Sequence, residues 1–103
     1  MSENQPTTRS ANRHAVLELT VSNHPGVMAH ICGLFSRRAY NVEGILCLPL
    51  ADRTRSRIWL LLDEDQRLEQ VVKQVHKLED VIEVRRHGAD HEVFLRLEEF
   101  FKE

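Results

Sequence analysis

Hydrophobic and polar side chains alternate from Ala15 to Val21, close to the start of the chain. A repeat of two residues is typical of a β-strand with one buried face, so a first strand is predicted here. After a polar corner, residues 27–38 change to a helical repeat with a single apolar stripe. That stripe contains Val27, Ile31, Leu34 and Phe35. A strand and then a helix are therefore predicted on either side of the corner.

The corner itself reads Ser-Asn-His-Pro-Gly over residues 22–26. Asn23 or His24 is predicted to cap the helix, and Pro25 suits its first turn. Gly26 has no side chain and lets a ligand come close to the backbone. The first N–H groups of a helix have no partner inside the helix and attract carboxylates and phosphates. We therefore expect this corner to hold whatever the chain binds.

A hairpin is predicted after the first helix. Residues 42–50 are apolar on both faces, residues 51–56 form a polar turn, and residues 58–62 form a second apolar run. Two such runs joined by a polar turn are typical of paired strands. Residues 63–66 resemble a capping box ahead of a second amphipathic helix. Residues 81–86 predict a short fourth strand.

The element order is therefore strand, helix, strand, strand, helix, strand. This is the order of the ferredoxin-like fold, an α+β βαββαβ architecture in which two helices cover one face of a four-stranded antiparallel sheet. We assign residues 14–88 to this domain. Residues 1–13 contain almost no apolar side chains and are predicted to be a flexible N-terminal arm.

Residues 89–103 are predicted to form a short C-terminal amphipathic helix capped by Asp90. Its apolar stripe contains Val93, Phe94, Leu97, Phe100 and Phe101. Such a stripe can pack on its own domain or on a second copy of it. An aromatic stripe at a chain end is also a ready anchor for another protein. The sequence leaves both alternatives open.

The second strand lies at a sheet edge in this topology, and residues 42–50 carry only one charge. An apolar edge strand without a neighbour promotes aggregation. We therefore expect it to pair with the same strand of a second copy. The result would be a symmetric homodimer with a continuous sheet.

Composition and charge narrow the class of partner. The chain has 103 residues, 42% of them hydrophobic, and a formal net charge of −2. A general nucleic-acid or membrane binder needs a basic face, so both classes are disfavoured. No apolar run approaches the roughly 18 residues that span a bilayer, and the polar start lacks the features of a secretion signal. Cys32 and Cys47 are expected to be small core hydrophobes of a cytoplasmic protein.

Few residues suggest catalysis or metal binding. The six histidines show no spacing typical of a Ser/His/Asp or Cys/His site. His87 and His91 have Gly88 between them in a strand-to-helix link, and Cys32 and Cys47 lack flanking ligands. We expect no catalytic residue, no metal site and no bound cofactor in this chain.

RNA-recognition modules share this fold and stack bases on aromatic side chains of the first and third strands. Here the first strand has no aromatic residue, and the third offers only Trp59. Arg53, Arg55 and Arg57 alternate through the hairpin and could contact phosphate, but a solvated turn is the simpler interpretation. An RNA module is therefore disfavoured.

A binding module with its ligand at the corner remains. If two edge strands pair, the corner of one chain approaches residues 41–45 of its mate and forms a cleft. The helix start offers N–H groups to a carboxylate, and the Asn23 and Asn41 amides offer oxygens to an ammonium. The apolar side chains that could enclose an aliphatic group are Val27, Met28, Val42 and Ile45. An aliphatic amino acid meets these demands; alternatively, Asn23 only caps the helix and the apolar residues only fill the core.

A family resemblance runs through several of these elements. It includes residues 17–28 (Leu-Glu-Leu-Thr-Val-Ser-Asn-His-Pro-Gly-Val-Met) and residues 33–50 (Gly-Leu-Phe-Ser-Arg-Arg-Ala-Tyr-Asn-Val-Glu-Gly-Ile-Leu-Cys-Leu-Pro-Leu). It covers about residues 14–86. These segments resemble the ACT domain of the small regulatory subunits of acetolactate (acetohydroxyacid) synthase, above all the short, valine-sensitive isozyme I type.

The resemblance implies a subunit without an active site that activates a separate thiamine-diphosphate-dependent catalytic subunit and conveys feedback inhibition by valine. Thiamine diphosphate, Mg and FAD would then be bound only by that large catalytic subunit. Similar small subunits bind the amino acid at a dimer interface, which implies a set of valine-binding residues here. They are Asn23, Gly26, Val27, Met28, Asn41 and Val42. The alternative is a stand-alone ACT-type amino-acid sensor that regulates another protein.

Overall fold

The order of strands and helices matches the hydrophobic pattern in a computed structural model that describes residues 14–102. The elements are β1 (His14–Ser22), α1 (Val27–Arg37), β2 (Val42–Pro49), β3 (Arg55–Asp63), α2 (Leu68–His76), β4 (Val81–Gly88), α3 (Glu92–Leu95) and a 3-10 helix (Glu98–Phe101). The predicted ferredoxin-like fold with a short C-terminal helix is confirmed. The predicted flexible arm, residues 1–13, lies outside the described residues.

The four strands form one antiparallel sheet in the order β2-β3-β1-β4. β2 therefore lies at an edge, as predicted, and β4 lies at the other. The register of β2 against β3 shifts between Val42 and Gly44, which leaves Glu43 in a bulge at the start of β2. A bulge bends an edge strand and re-aims its side chains.

The hydrophobic core lies between the sheet and the two long helices. β1 and β3 place apolar pairs opposite each other, such as Leu17 with Leu60 and Leu19 with Ile58, and all four are fully buried. The helices contribute Val27, Ile31, Leu34, Phe35, Leu68, Val71 and Val75. Burial of one such aliphatic side chain contributes about 1.5–3 kcal/mol to folding. This layer of apolar side chains accounts for the helical and strand periodicities in the sequence.

The opposite face of the sheet is also covered, which the alternating pattern of β1 did not predict. Val16 and Thr20 point away from α1 and α2, yet they are only 0% and 4% exposed. The C-terminal segment packs on this face, with the His91 ring centroid 4.8 Å from that of Trp59. β1 is thus a central strand that is buried on both faces.

The C-terminal segment differs from the single amphipathic helix predicted for it. α3 has four residues, and a separate 3-10 helix follows it. The predicted cap Asp90 is wrong, because His91 Nδ1 accepts the hydrogen bond from the Val93 N–H at 3.1 Å. Phe100 and Phe101 are 80% and 79% exposed, so only part of the predicted stripe packs on the domain.

Two further local predictions are wrong. Cys32 and Cys47 are both exposed free thiols rather than core residues, because the face of α1 that carries Cys32 points outward and β2 is an edge. The stretch before α2 does not form a capping box. Asp65 instead accepts a hydrogen bond from the Arg67 N–H at 2.7 Å, and no side chain of residues 14–102 caps α2 itself. None of the helices described is long and apolar enough to cross a membrane.

Candidate functional site

The corner between β1 and α1 leaves the helix start open. α1 begins at Val27, and no side chain within residues 14–102 caps it, so the predicted caps Asn23 and His24 are wrong. Gly26 precedes the helix with φ of 92°, a left-handed conformation that favours glycine. A Cβ placed on Gly26 would meet no atom within 4 Å. The backbone at the start of α1 is therefore accessible to a ligand.

The side chains of Asn23 and His24, which precede Gly26, form hydrogen bonds with other loops instead. Asn23 Nδ2 donates to the Arg53 carbonyl at 2.8 Å, which ties the corner to the β2–β3 turn. The His24 ring contacts the Pro25 carbonyl at 2.8 Å and Asp80 Oδ1 at 2.6 Å. These side-chain contacts fix the corner from two sides and do not use the helix N–H groups, of which that of Val27 donates to the His24 carbonyl at 3.4 Å.

A depression of about 230 Å³ opens at this corner. Four of the six predicted valine-binding residues line it, namely Asn23, Gly26, Val27 and Met28. Cys47 and Ser56 line it as well. Because Cys47 belongs to β2 and Ser56 to β3, the depression lies beside the carboxyl-terminal half of the edge strand.

The other two predicted residues, Asn41 and Val42, do not line this depression. Val42 lies opposite Leu62 of β3, whereas Pro49, at the far end of β2, lies opposite Ser56. These ends of β2 are about 23 Å apart, since a strand rises roughly 3.3 Å per residue. Within one chain, the two halves of the predicted site are thus at opposite ends of the edge strand.

The start of β2 has its own polar contacts. Asn41 Nδ2 donates to Glu43 Oε2 at 3.0 Å, and the other Glu43 oxygen lies 3.2 Å from His14 Nε2. His14 is also 3.6 Å from Asp63 Oδ1. His14, Glu43 and Asp63 thus bring one imidazole and two carboxylates together at this end of the sheet.

The remaining charged residues of interest lie on the outer face of the sheet. Glu18 Oε2 forms an ion pair with Arg57 Nη1 at 3.0 Å, and Glu18 Oε1 accepts a hydrogen bond from His87 Nε2 at 2.9 Å. Arg57 therefore belongs to the sheet surface, and the interpretation of it as part of a solvated turn is wrong. Trp59, the aromatic residue of the third strand, forms a three-ring cluster with His87 and His91. Its ring centroid lies 5.6 Å from that of His87 and 4.8 Å from that of His91, and the two histidine centroids are 4.5 Å apart.

Asp80 is a residue of the corner that the sequence did not point to. It follows α2, and its carboxylate contacts His24 and His30, while its backbone oxygen accepts a hydrogen bond from the Ser22 N–H at 2.9 Å. The hydrogen bond from His24 lowers the pKa of Asp80, and the same bond raises the pKa of His24. No local signal could have revealed this contact, because 56 residues separate His24 from Asp80.

A family model for the AHAS small subunit-like ACT domain matches residues 17–83, which include the corner, the edge strand and both long helices. This chain belongs to that family. The small subunit of acetolactate synthase isozyme 1 from Escherichia coli K12 is 58% identical over 89 residues, which cover 86% of this chain and 93% of the relative. The isozyme 3 small subunit of the same organism is 39% identical over 71% of this chain and 45% of the relative.

Solved structures agree with this assignment. The acetolactate synthase small subunit of Thermotoga maritima superposes with a TM-score of 0.65 and 26% identity, over 88% of this chain and 70% of that one. The regulatory subunit of aspartate kinase from Thermus flavus has a TM-score of 0.61 at 20% identity, over 74% of this chain and 52% of that one, a likeness of fold alone. Membership of the small-subunit family makes this ACT-domain chain a regulatory, non-catalytic component of an acetolactate synthase.

Proposed function

We propose that this small subunit binds valine in a cleft shared by two copies, activates the separate catalytic subunit of acetolactate synthase and conveys feedback inhibition of branched-chain amino-acid biosynthesis. Thiamine diphosphate, Mg and FAD belong, in this proposal, to the large catalytic subunit. The observation that carries it is the division of the predicted site between the two ends of β2.

Pairing of two β2 edges would reunite the two halves. In an antiparallel pair related by a two-fold axis, the start of one β2 lies beside the end of the other. Asn41 and Val42 of one copy would then approach the depression at residues 23–28 of its mate. The exposed apolar side chains of β2 also support this pairing, since Ile45 and Leu48 are 38% and 72% exposed.

Each part of the amino acid has a chemically suitable counterpart. The carboxylate is placed at the uncapped start of α1, where backbone N–H groups and the helix dipole favour an anion. The ammonium is placed near the Asn41 side-chain oxygen of the second copy. The isopropyl group contacts Val27, Met28 and the second copy's Val42. A ligand that touches both chains favours one arrangement of the dimer.

The catalytic subunit senses that arrangement in this mechanism. Thermodynamic reciprocity then requires that, if valine weakens the activating contact, the catalytic subunit weakens valine binding by the same factor. One extra methylene in an apolar pocket changes affinity by only about 1–3 kcal/mol, so the three branched-chain amino acids have to be compared directly. Synthase activity of the large subunit, with and without this chain and titrated with each branched-chain amino acid, tests activation, inhibition and preference together.

Gly26 offers a direct test of the carboxylate position. Gly26→Ala and Gly26→Asp both meet left-handed strain, about 1–2 kcal/mol for alanine and less for aspartate, but only aspartate adds an anion. We expect Gly26→Asp to lower valine affinity at least about tenfold below that of Gly26→Ala, because a like charge would face the ligand carboxylate. Calorimetry that finds equal affinities in the two variants would remove the carboxylate from this corner.

Ile45 tests the shared cleft. Ile45→Glu places like charges near each other across the two-fold axis of a β2 pair, which destabilises cross-strand contacts. We expect weaker dimerisation in analytical ultracentrifugation and a parallel loss of valine affinity. Ile82→Glu is the matched control, since Ile82 is 56% exposed on the opposite edge strand. Unchanged dimerisation in Ile45→Glu would contradict pairing through β2.

A pull-down with the large catalytic subunit distinguishes this proposal from the alternative of a stand-alone amino-acid sensor. A small subunit of acetolactate synthase retains the large catalytic subunit in a pull-down, and valine changes the amount retained. A chain that binds valine but never retains the large subunit would be a sensor for another protein.

A further inference from the structure

The ring of His24 lies between two hydrogen-bond acceptors. Its Nδ1 is 2.8 Å from the Pro25 carbonyl oxygen, and its Nε2 is 2.6 Å from Asp80 Oδ1. A carbonyl oxygen can only accept a hydrogen bond, and so can an ionised carboxylate. Neutral imidazole has a single N–H and could satisfy only one of them. Both contacts are hydrogen bonds only when the ring is an imidazolium.

Asp80 is placed to stabilise that charge and to hold the corner. Its side chain is 17% exposed, its Oδ2 lies 3.2 Å from His30 Nδ1, and its backbone oxygen accepts from the Ser22 N–H. The hydrogen bond to Asp80 is the main cause that raises the pKa of His24. Glu79 adds a weaker attraction from the same loop. From α1, His30 and Arg37 line the same surface depression as His24.

The helix start opposes a positive charge at this place. The amino-terminal end of a helix carries a partial positive charge, so an imidazolium beside α1 needs an anionic partner. Asp80 supplies that partner in the free chain. A ligand carboxylate at the start of α1 would add a second anion, and His24 and the helix dipole would both attract it.

We propose that the imidazolium of His24, held between Asp80 and the Pro25 carbonyl, fixes residues 23–26 in the shape that receives an amino-acid carboxylate, so that binding at this corner depends on a proton. The ligand named here rests on the function proposed above. The arrangement itself rests on this chain's own contacts.

The direction of the pH dependence follows from the two shifted groups. The pKa of His24 is raised, so its contribution is complete below the ordinary value of about 6.5 and is lost as the pH rises through the raised pKa. The pKa of Asp80 is lowered, so the pair is lost at the acid end only as the pH falls through that lowered pKa. When the His24 imidazolium loses one proton, one ring nitrogen carries a lone pair. That lone pair faces the oxygen of either the Pro25 carbonyl or Asp80, and the hydrogen bond there is lost. The corner then loosens.

Nuclear magnetic resonance of the full chain tests the arrangement without any ligand. We expect both ring nitrogens of His24 to be protonated at about pH 6.5, where an ordinary histidine is half neutral. His24 should titrate at higher pH than the ordinary histidine value of about 6.5, and the Gly26 and Val27 amide signals should titrate with it. Asp80→Asn should bring the titration of His24 down toward that ordinary value. A His24 that titrates at the ordinary value in the unmodified chain would overturn the proposal.

Calorimetry with valine tests the consequence. From about pH 6 to about pH 8.5, we expect affinity to fall at least about tenfold, as expected for loss of one charge-assisted contact. His24→Gln should bind weakly with no such slope, whereas the control His76→Gln should keep the slope. Valine should in turn raise the pKa of His24, by reciprocity.

The two proposals fail in different ways. A pH-independent valine affinity, or a slope retained in His24→Gln, would overturn proton-dependent binding while leaving valine binding intact. No valine binding at any pH would overturn the proposed function and the coupled binding with it. The titration of His24 would then still decide whether a proton holds the corner.

Discussion

The two faces of the sheet are stabilised by different means. The face under α1 and α2 is a continuous layer of aliphatic and aromatic side chains, in which Leu17, Leu19, Ile58 and Leu60 are fully buried. The other face combines the contacts of Glu18 with Arg57 and His87 and the ring cluster of Trp59, His87 and His91, under a short C-terminal segment. The first face depends on apolar area, whereas the second depends on a few specific partners. The two faces should therefore respond differently to substitution.

The helix-covered face should show the largest effect. Leu60→Ala truncates a fully buried β3 side chain in the core between the sheet and the two long helices. We expect it to lower the free energy of unfolding by about 2–5 kcal/mol. Urea unfolding at fixed protein concentration measures this. Ile82→Ala, on a side chain that is 56% exposed, should stay within about 0.5 kcal/mol of the unmodified chain. Similar losses in both variants would mean that the core does not lie where the structure places it.

The polar contacts of the outer face should show an intermediate effect. Glu18→Ala removes the carboxylate that contacts Arg57 and His87, and we expect a loss of about 2 kcal/mol because both side chains lose this acceptor. Glu18→Gln keeps the shape and one acceptor oxygen, so it should lose clearly less. If Glu18→Ala and Glu18→Gln unfold at the same urea concentration, the Glu18 contacts do not stabilise this face.

Close packing of the C-terminal segment should show the smallest effect. A Cβ on Gly44 would lie 2.9 Å from Phe94 Cε1 and 3.3 Å from Leu61 Cβ, so Gly44→Ala should destabilise the chain by about 1 kcal/mol. Phe94→Leu gives the side chain room, and Gly44→Ala in that background should cost less. A double-mutant cycle in urea measures the difference. Additive costs would mean that Phe94 does not pack on β2.

Much of the fold could be predicted because its signals are local. The period of β1, the stripe of α1 and the order of the six main elements are visible within windows of about ten residues. The edge position of β2 followed from that order, and its apolar character pointed to a partner strand. The corner at residues 23–26 was recognisable as an open helix start, although its predicted caps were wrong.

The missed features all depend on contacts between distant parts of the chain. Asn23 and His24 do not cap α1, and their side chains instead contact Arg53 and Asp80 in other loops. The C-terminal segment divides into two short helices, and its His91 and Phe94 lie beside Trp59 and Gly44, which are distant in the chain. The cysteines are exposed because one lies on the outer face of a helix and the other on an edge strand. Local patterns give no information about such partners.

The sequence by itself determined the βαββαβ order, the apolar edge strand and the open corner. These features are set by residue periodicity and by local backbone preferences, which need no knowledge of distant neighbours. Only the tertiary structure decided that the two halves of the predicted site lie at opposite ends of β2, and that His24 meets Asp80. Both facts depend on strand register and loop packing, which bring together groups that lie far apart in the chain.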